Sequence, residues 1–320
     1  MIDVYWQLDP AAEPWRGEPA LRPSLPELVR DLRRPTQNRY DFYAQVATAA
    51  EQTGFDGLFV AHRRQSDDSR IIAAALAREV PRLRLLAEFP ASVGSAVYAA
   101  KQATTFQRGA QGRLEWAIAP DADAPTRAAE GDFVADEDLA ERKAEFLTVA
   151  RGVHGTPGFT FKGKHFEVEN GGFTDPLTRG AFPLVVLQGS SEEDLEVSAR
   201  LAHLHLFDTR SSAQLASLIE GLDALANAAG RRVGFGLHQP VLARQTSAEA
   251  ERDFARSTLP ETTLVGSFDE VAESLAQLVS LGLDRLVLSA DQQLEGAYAL
   301  GQHLLPRLRA RLSVTPRAAA

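Results

Sequence analysis

Cysteine is absent from all 320 residues, which excludes disulfides, thiolate nucleophiles and cysteine-bound metals and fits a reducing compartment. Long runs of Lys and Arg are also missing, and 34 basic against 43 acidic residues leave a formal net charge of −9. A chain of that charge, without a basic stripe, is not expected to bind nucleic acid. No apolar run approaches membrane length, and the start Met1-Ile2-Asp3-Val4-Tyr5-Trp6 lacks the basic-then-apolar order of a secretion signal. The expectation is a soluble, cytoplasmic protein that does not enter a membrane.

What the sequence does contain is an alternation. Apolar runs at residues 2–8, 57–61, 83–89 and 114–119 read as strands. Stretches with apolar or small residues at helical spacing fall between them at 38–54, 71–79 and 96–108. The proline-rich segment 9–35 reads as a loop. After a looser acidic stretch, residues 137–151 read as a helix and 159–168, alternating around Lys162-Gly163, as an excursion hairpin. Further strands follow at 185–188, 203–207, 233–243 (interrupted at Pro240) and 284–289, with helices between them and a last helix at 294–312. Eight strand candidates, no repeat and no composition break favour a single domain over 1–320, a (β/α)8 barrel rather than a doubly wound sheet. Its site is expected at the C-terminal ends of the strands.

The stretch Val185-Val186-Leu187-Gln188-Gly189-Ser190-Ser191 is the most informative. A strand, a small-residue turn and a helix start present free backbone N–H groups and two hydroxyls, a ready cradle for a phosphate. The plainer reading makes Ser190 or Ser191 an N-cap, with the acidic residues behind it complementing the helix dipole.

These residues and their neighbours resemble the bacterial luciferase-like flavin monooxygenases, and within them the two-component alkanesulfonate monooxygenases. The matching segments include Ala49-Ala50-Glu51-Gln52-Thr53-Gly54-Phe55-Asp56-Gly57, Phe161-Lys162-Gly163-Lys164-His165-Phe166, Gly189-Ser190-Ser191-Glu192 and Leu264-Val265-Gly266-Ser267. The resemblance implies a (β/α)8 barrel that binds reduced FMN from a separate flavin reductase and uses dioxygen to oxygenate a small organic molecule. It also implies a homodimer. The Gly-Ser-Ser turn would hold the cofactor phosphate.

The departures are as informative. Where the family ends its fourth strand in Asn-x-x-Thr-Gly, this chain has Ala117-Ile118-Ala119-Pro120-Asp121. An arginine after the third strand has become Pro90-Ala91-Ser92, an Arg-Tyr pair Leu139-Ala140, and the lid segment is shortened to 256–263. Loss of an arginine from an acidic mouth argues against a simple alkanesulfonate substrate.

Expected cofactor contacts are Gln188, Gly189, Ser190, Ser191, Glu88 and Asp121. Expected catalytic groups are His238, Arg64 and Ser66. His238 is suited to acid or base work near neutral pH, or is satisfied by backbone. Trp6, Trp116 and Asp291 are expected around the substrate, although large aromatics on barrel strands also serve simply to fill volume. His203 and His205, two apart, have the spacing of two metal ligands but lack a third, so core packing is favoured and no metal is expected. Scattered carboxylates at strand ends leave a glycosidase-like acid–base pair as a remote reading. The alternative to a working monooxygenase is a catalytically silent homologue acting as a partner subunit or ligand-binding module.

Overall fold

The computed structural model describes residues 2–11, 39–92, 94–208 and 211–314. Most of the expected loop at 9–35 lies outside the described residues. The first half of the chain runs β1 (Asp3–Leu8), α1 (Arg39–Gln52), β2 (Gly57–Val60), α2 (Ser69–Leu76), β3 (Arg84–Phe89), α3 (Ala96–Gly109), β4 (Leu114–Ile118), α4 (Ala124–Ala129) and α5 (Leu139–Gly155). The hairpin β5 (Phe159–Lys162) and β6 (Glu167–Gly171) follows. Next come β7 (Leu184–Gln188), α6 (Glu192–Leu201), β8 (Leu204–Asp208), α7 (Ser212–Ala228), β9 (Gly234–Arg244), α8 (Ser247–Phe254), β10 (Leu264–Ser267) and α9 (Phe268–Val279). The chain closes with β11 (Arg285–Ser289), α10 (Gln293–Ala299) and α11 (Leu305–Val314), the last two joined by a π-helical turn at Leu300–Leu304.

Strands β1, β2, β3, β4, β7, β8, β9 and β11 pair in that order, all parallel, and the β9–β11 and β11–β1 ladders complete the ring. This is the expected (β/α)8 barrel. Parallel strands wrapped by helices are buried on both faces, which is why they read as nearly continuous apolar runs. Their outward side chains, among them Val4, Leu58, Leu85, Val185, Leu237 and Leu288, belong to one buried layer shared with the helices.

The inward side chains form a separate core, and it comes in tiers. At the N-terminal end Tyr5, Glu115 and Arg285 interlock. Arg285 Nη1 donates to Glu115 Oε2 at 2.6 Å, Tyr5 Oη donates to the same oxygen at 3.1 Å, and the guanidinium lies 4.1 Å over the Tyr5 ring. Gly57 faces that ring so closely that a Cβ there would stand 2.5 Å from it, so the position admits no side chain. Above lie Phe59, Leu86, Ala117, Val186, Leu206 and Val287, an apolar plug. By period-two alternation the next inward residues, at the C-terminal mouth, are Gln7, Ala61, Glu88, Gln188 and His238.

β9 runs on through Pro240 instead of breaking there. Pro240 is its last partner for β11, opposite Ser289, and Val241 is its first partner for β10, opposite Leu264. The missing N–H falls where the strand changes neighbours, and there a missing donor is tolerated. The hairpin is fixed from α5: Glu145 accepts from the N–H groups of Lys164, His165 and Phe166 at 2.7, 2.8 and 2.9 Å. Burial opposes its charge, yet these three donors hold its carboxyl below the usual range.

Candidate active site at the barrel mouth

Glu88 is the hub of the mouth. Only 7% exposed, it accepts from His62 N–H at 2.8 Å through Oε2 and from Gln188 Nε2 at 2.8 Å through Oε1. It joins the loop after β2 to the ends of β3 and β7. Because an ionised carboxylate only accepts, this contact also fixes which end of the Gln188 amide faces it. Gln7, also 7% exposed, carries a buried Oε1 that meets no donor among the described residues. A buried unpaired carbonyl is costly, and the cost is removed when a ligand supplies an N–H. His238 is partly exposed on the opposite wall, its ring 6.1 Å from that of Phe59 and its Nδ1 3.9 Å from Asp208 Oδ1.

The turn after β7 stands at the rim. Gly189 has φ +120°, which only glycine adopts freely, and Ser190 and Ser191 are exposed. Ser191 caps α6, accepting from Asp194 N–H at 3.1 Å, so the N-cap reading of this stretch holds for Ser191. The turn is braced from below by His205 on β8, which is fully buried: Nδ1 pairs with Ser198 Oγ at 2.8 Å and Nε2 with Gly189 O at 3.1 Å. Burial drives its pKa down to about 4, so the ring is neutral near pH 7, with Nε2–H donating to the carbonyl. His203 Nδ1 accepts from Val185 N–H at 2.9 Å. His205 is thus packed in the core as expected, whereas His203 is exposed just before β8 and is held there by the Val185 N–H rather than by core packing. The one group among the described residues with three possible ligand atoms within 4.8 Å is Asp138, Glu141 and His165, and Lys164 Nζ already neutralises Asp138 there at 2.6 Å.

The structure thus gathers Gln188, Gly189, Ser190, Ser191, Glu88 and His238 around the mouth. Arg64 is exposed on the loop after β2. Thr126 first, then Arg127 and Arg64, hold the Asp123 carboxyl below its usual range, which sets Arg64 toward the β4 side. Ser66 Oγ on the same loop is buried without a partner among the described residues. Asp291 is exposed and lines a cleft of about 610 Å³ between the β9 extension, α8 and α10, at the rim rather than in the lumen.

Three expected positions are corrected. Trp6 and Trp116 point outward, not into the lumen. Trp6 packs on Phe55 at 5.3 Å and against Gly296, and Trp116 sits among Phe89, Phe146 and Phe182 at 5.1 to 6.1 Å. Each is one residue out of phase with an inward neighbour, and one step along a strand changes the face. Asp121 is the third: it pairs with Arg142 Nη2 at 2.9 Å and Lys143 Nζ at 3.0 Å, both cations nearly buried, so its carboxylate is committed to the wall. Gln7 is a residue that the sequence did not single out, because its orphaned oxygen is a property of packing.

An eight-stranded barrel with a polar collar over an apolar plug defines an enzyme of the class whose site sits on the C-terminal face. The luciferase-like monooxygenase family matches residues 25–260, and the chain belongs to that family of flavin-dependent oxidoreductases. Similar solved structures include a riboflavin lyase, RcaE, described with modified FMN and riboflavin (TM-score 0.81, 17% identity, 99% of this chain and 93% of that one). The EDTA monooxygenase EmoA from Chelativorans sp. BNC1 follows (0.78, 18%, 99% and 95%), with the long-chain alkane monooxygenase LadA (0.77, 15%, 97% and 91%). At these identities the likeness is one of fold.

The fit to a flavin is divided. The ring portion fits the collar: Gln7 Oε1 needs a donor, reduced flavin carries ring N–H groups, and Ala61 and Ala117 keep the inner wall small. At the turn, free amides face an acidic surround, since the first turn of α6 carries Glu192, Glu193 and Asp194. Among the described residues, no helix is long and apolar enough to cross a membrane.

Proposed function

We propose that the chain is a flavin-dependent monooxygenase that takes reduced FMN from a separate reductase and oxygenates a small organic substrate at the barrel mouth. The observation that carries this reading is the collar of Gln7, Glu88 and Gln188, in which the buried Gln7 oxygen has no partner among the described residues. Reduced flavin, when bound, supplies the two-electron activation of dioxygen, from which one oxygen atom goes to the substrate and the other leaves as water. The protein's part is positioning and drying: Gln7 accepts a ring N–H, Glu88 keeps Gln188 in place, and the plug of Phe59, Leu86, Val186 and Val287 closes the floor to water. His238 stands at the mouth with its Nδ1 3.9 Å from Asp208 Oδ1, and is the group proposed to pass a proton there. Arg64 and Ser66, on the loop beside the mouth, are the groups proposed to meet the substrate. Pairing of two copies, which the family resemblance implies, would cover the exposed Ile71 and Tyr98 on α2 and α3.

Gln7→Leu separates site from scaffold. Removing an unpaired buried carbonyl should leave the melting temperature unchanged or raise it, whereas flavin binding, followed by fluorescence, should weaken about tenfold. An unaltered flavin affinity would remove Gln7 from the site, and no response of the wild type to either redox form of FMN would count against the enzyme reading. The exposed carboxylates Asp208 and Asp291 at the rim also predict that simple alkanesulfonates are not turned over, because an anion meets like charge there. Turnover of such a sulfonate with a supplied flavin reductase overturns that expectation. The acidic first turn of α6 favours a second reading, a silent homologue that serves as a partner subunit or ligand-binding module; the same titration separates the two.

A further inference from the structure

The turn between β7 and α6 already contains an anion. Asp194 Oδ2 lies 2.1 Å from where a Cβ on Gly189 would stand, so the carboxylate fills the space that this glycine leaves open. Ser191 Oγ donates to Oδ2 at 3.2 Å, and Lys143 Nζ donates to Oδ1 at 2.8 Å. We propose that Asp194 is a specificity-determining residue that acts as an internal substitute for a phosphate, so that flavin is held by its ring and ribityl chain with little help from the phosphate group. This rests on the flavin reading above.

Donors and charge at the turn are already committed. A serine hydroxyl has a single proton; that of Ser191 goes to Asp194, and its oxygen accepts the Asp194 N–H in return. It has nothing left to give a phosphate, which in its dianionic form only accepts. Lys143, with a side chain 3% exposed, is shared between Asp194 and Asp121, and the neighbouring Arg142 between Asp121 and Asp132. Two cations face three carboxylates, so the cluster retains a negative charge before the exposed Glu192 and Glu193 are considered. What remains for a phosphate is Ser190, the first free amides of α6 and the helix dipole, set against that charge.

The test compares FMN with riboflavin, which share everything but the phosphate, in both redox forms and with fluorescence as the readout. The wild type should hold the two with dissociation constants within about threefold of each other. Asp194→Asn, which keeps the shape but removes one carboxylate from the turn and leaves Lys143 only Asp121 to neutralise, should tighten FMN by at least about tenfold and leave riboflavin unchanged. A wild type that prefers FMN by more than about tenfold overturns the proposal while leaving the flavin reading intact. So does an Asp194→Asn protein, folded by its melting curve, in which both flavins or neither respond. If the wild type binds neither flavin in either form, the flavin reading fails and this inference with it. The wild-type ratio requires no variant, so the proposal stays testable even if Asp194→Asn does not fold.

Discussion

Glu115→Ala is expected to lower folding stability by about 3–5 kcal/mol, the cost of stripping one partner from a buried ion pair. The Arg285 side chain is 3% exposed and closed in by the barrel. Burial works against its charge, but Glu115 and Tyr5 beside it hold its pKa above the ordinary arginine value. Without Glu115 the guanidinium would keep, as a charged partner, just the partly exposed Asp3 at 3.6 Å beside the Tyr5 ring, and the Tyr5 hydroxyl would lose its acceptor. Tyr5, pushed up first by burial and then by Glu115, cannot ionise to compensate. The readout is a shift of the denaturant midpoint with an unchanged slope. Replacing both members, Glu115→Leu with Arg285→Met, should recover most of the loss, because an apolar pair of similar volume removes the desolvation cost along with the attraction. A single variant that costs less than about 1 kcal/mol would show that the pair is hydrated and not a dry barrel floor.

The barrel was legible because its cause is local. Each apolar run needs burial on both faces, each intervening segment carries helical periodicity, and the eight runs are the eight strands of the ring; only the four-residue β10, paired to β9 outside it, went unread. Pro240 misled only because the sequence does not show a strand changing partners at that residue. Elements of a single turn or two, such as α4 and α8, carry too few apolar positions to stand out, although Thr246 and Glu249 do form the capping box that starts α8.

The site was less legible, and for one physical reason: facing depends on phase. Trp6 sits between Tyr5 and Gln7, both inward, and Trp116 between Glu115 and Ala117, both inward. The sequence placed both tryptophans at the correct height and on the wrong side. Asp121 failed differently. Its charge was visible, but its partners Arg142 and Lys143 lie about twenty residues ahead on α5, and only the folded chain brings them to it. The Gly189-Ser190-Ser191 turn was found for a sound reason, the free amides of a helix start. What the sequence left open was which anion those groups serve, and Asp194 is the nearest one.

The same turn is expected to report on pH. His205 enters the folded state neutral, with its pKa brought from 6.5 to about 4 by burial, while the unfolded chain takes up a proton near 6.5. Protons therefore favour the unfolded chain: the contribution is fully present above pH 6.5, erodes as the pH falls, and is exhausted near pH 4. Between pH 7 and pH 5 the loss should be about 2 kcal/mol. The carbonyl of Gly189 and the charges of Asp194 and Asp208 act to raise the pKa and Lys143 to lower it, but burial outweighs them. His203 is also lowered, by burial first and then by Arg151, so it contributes with the same sign. The comparison is therefore with His205→Gln, which cannot titrate and can still reach Gly189: its stability should fall by less than the wild type's over the same interval. The window lies above the range where Asp132 and Glu145, both held below their usual values, begin to lose their contributions, so carboxylates do not confuse it. Parallel slopes for the two proteins would mean that the ring is hydrated and does not brace the turn. A steeper wild-type slope, with flavin affinity weakening over the same interval, would show that the brace beneath Gly189 and the ligand above it share one structural element.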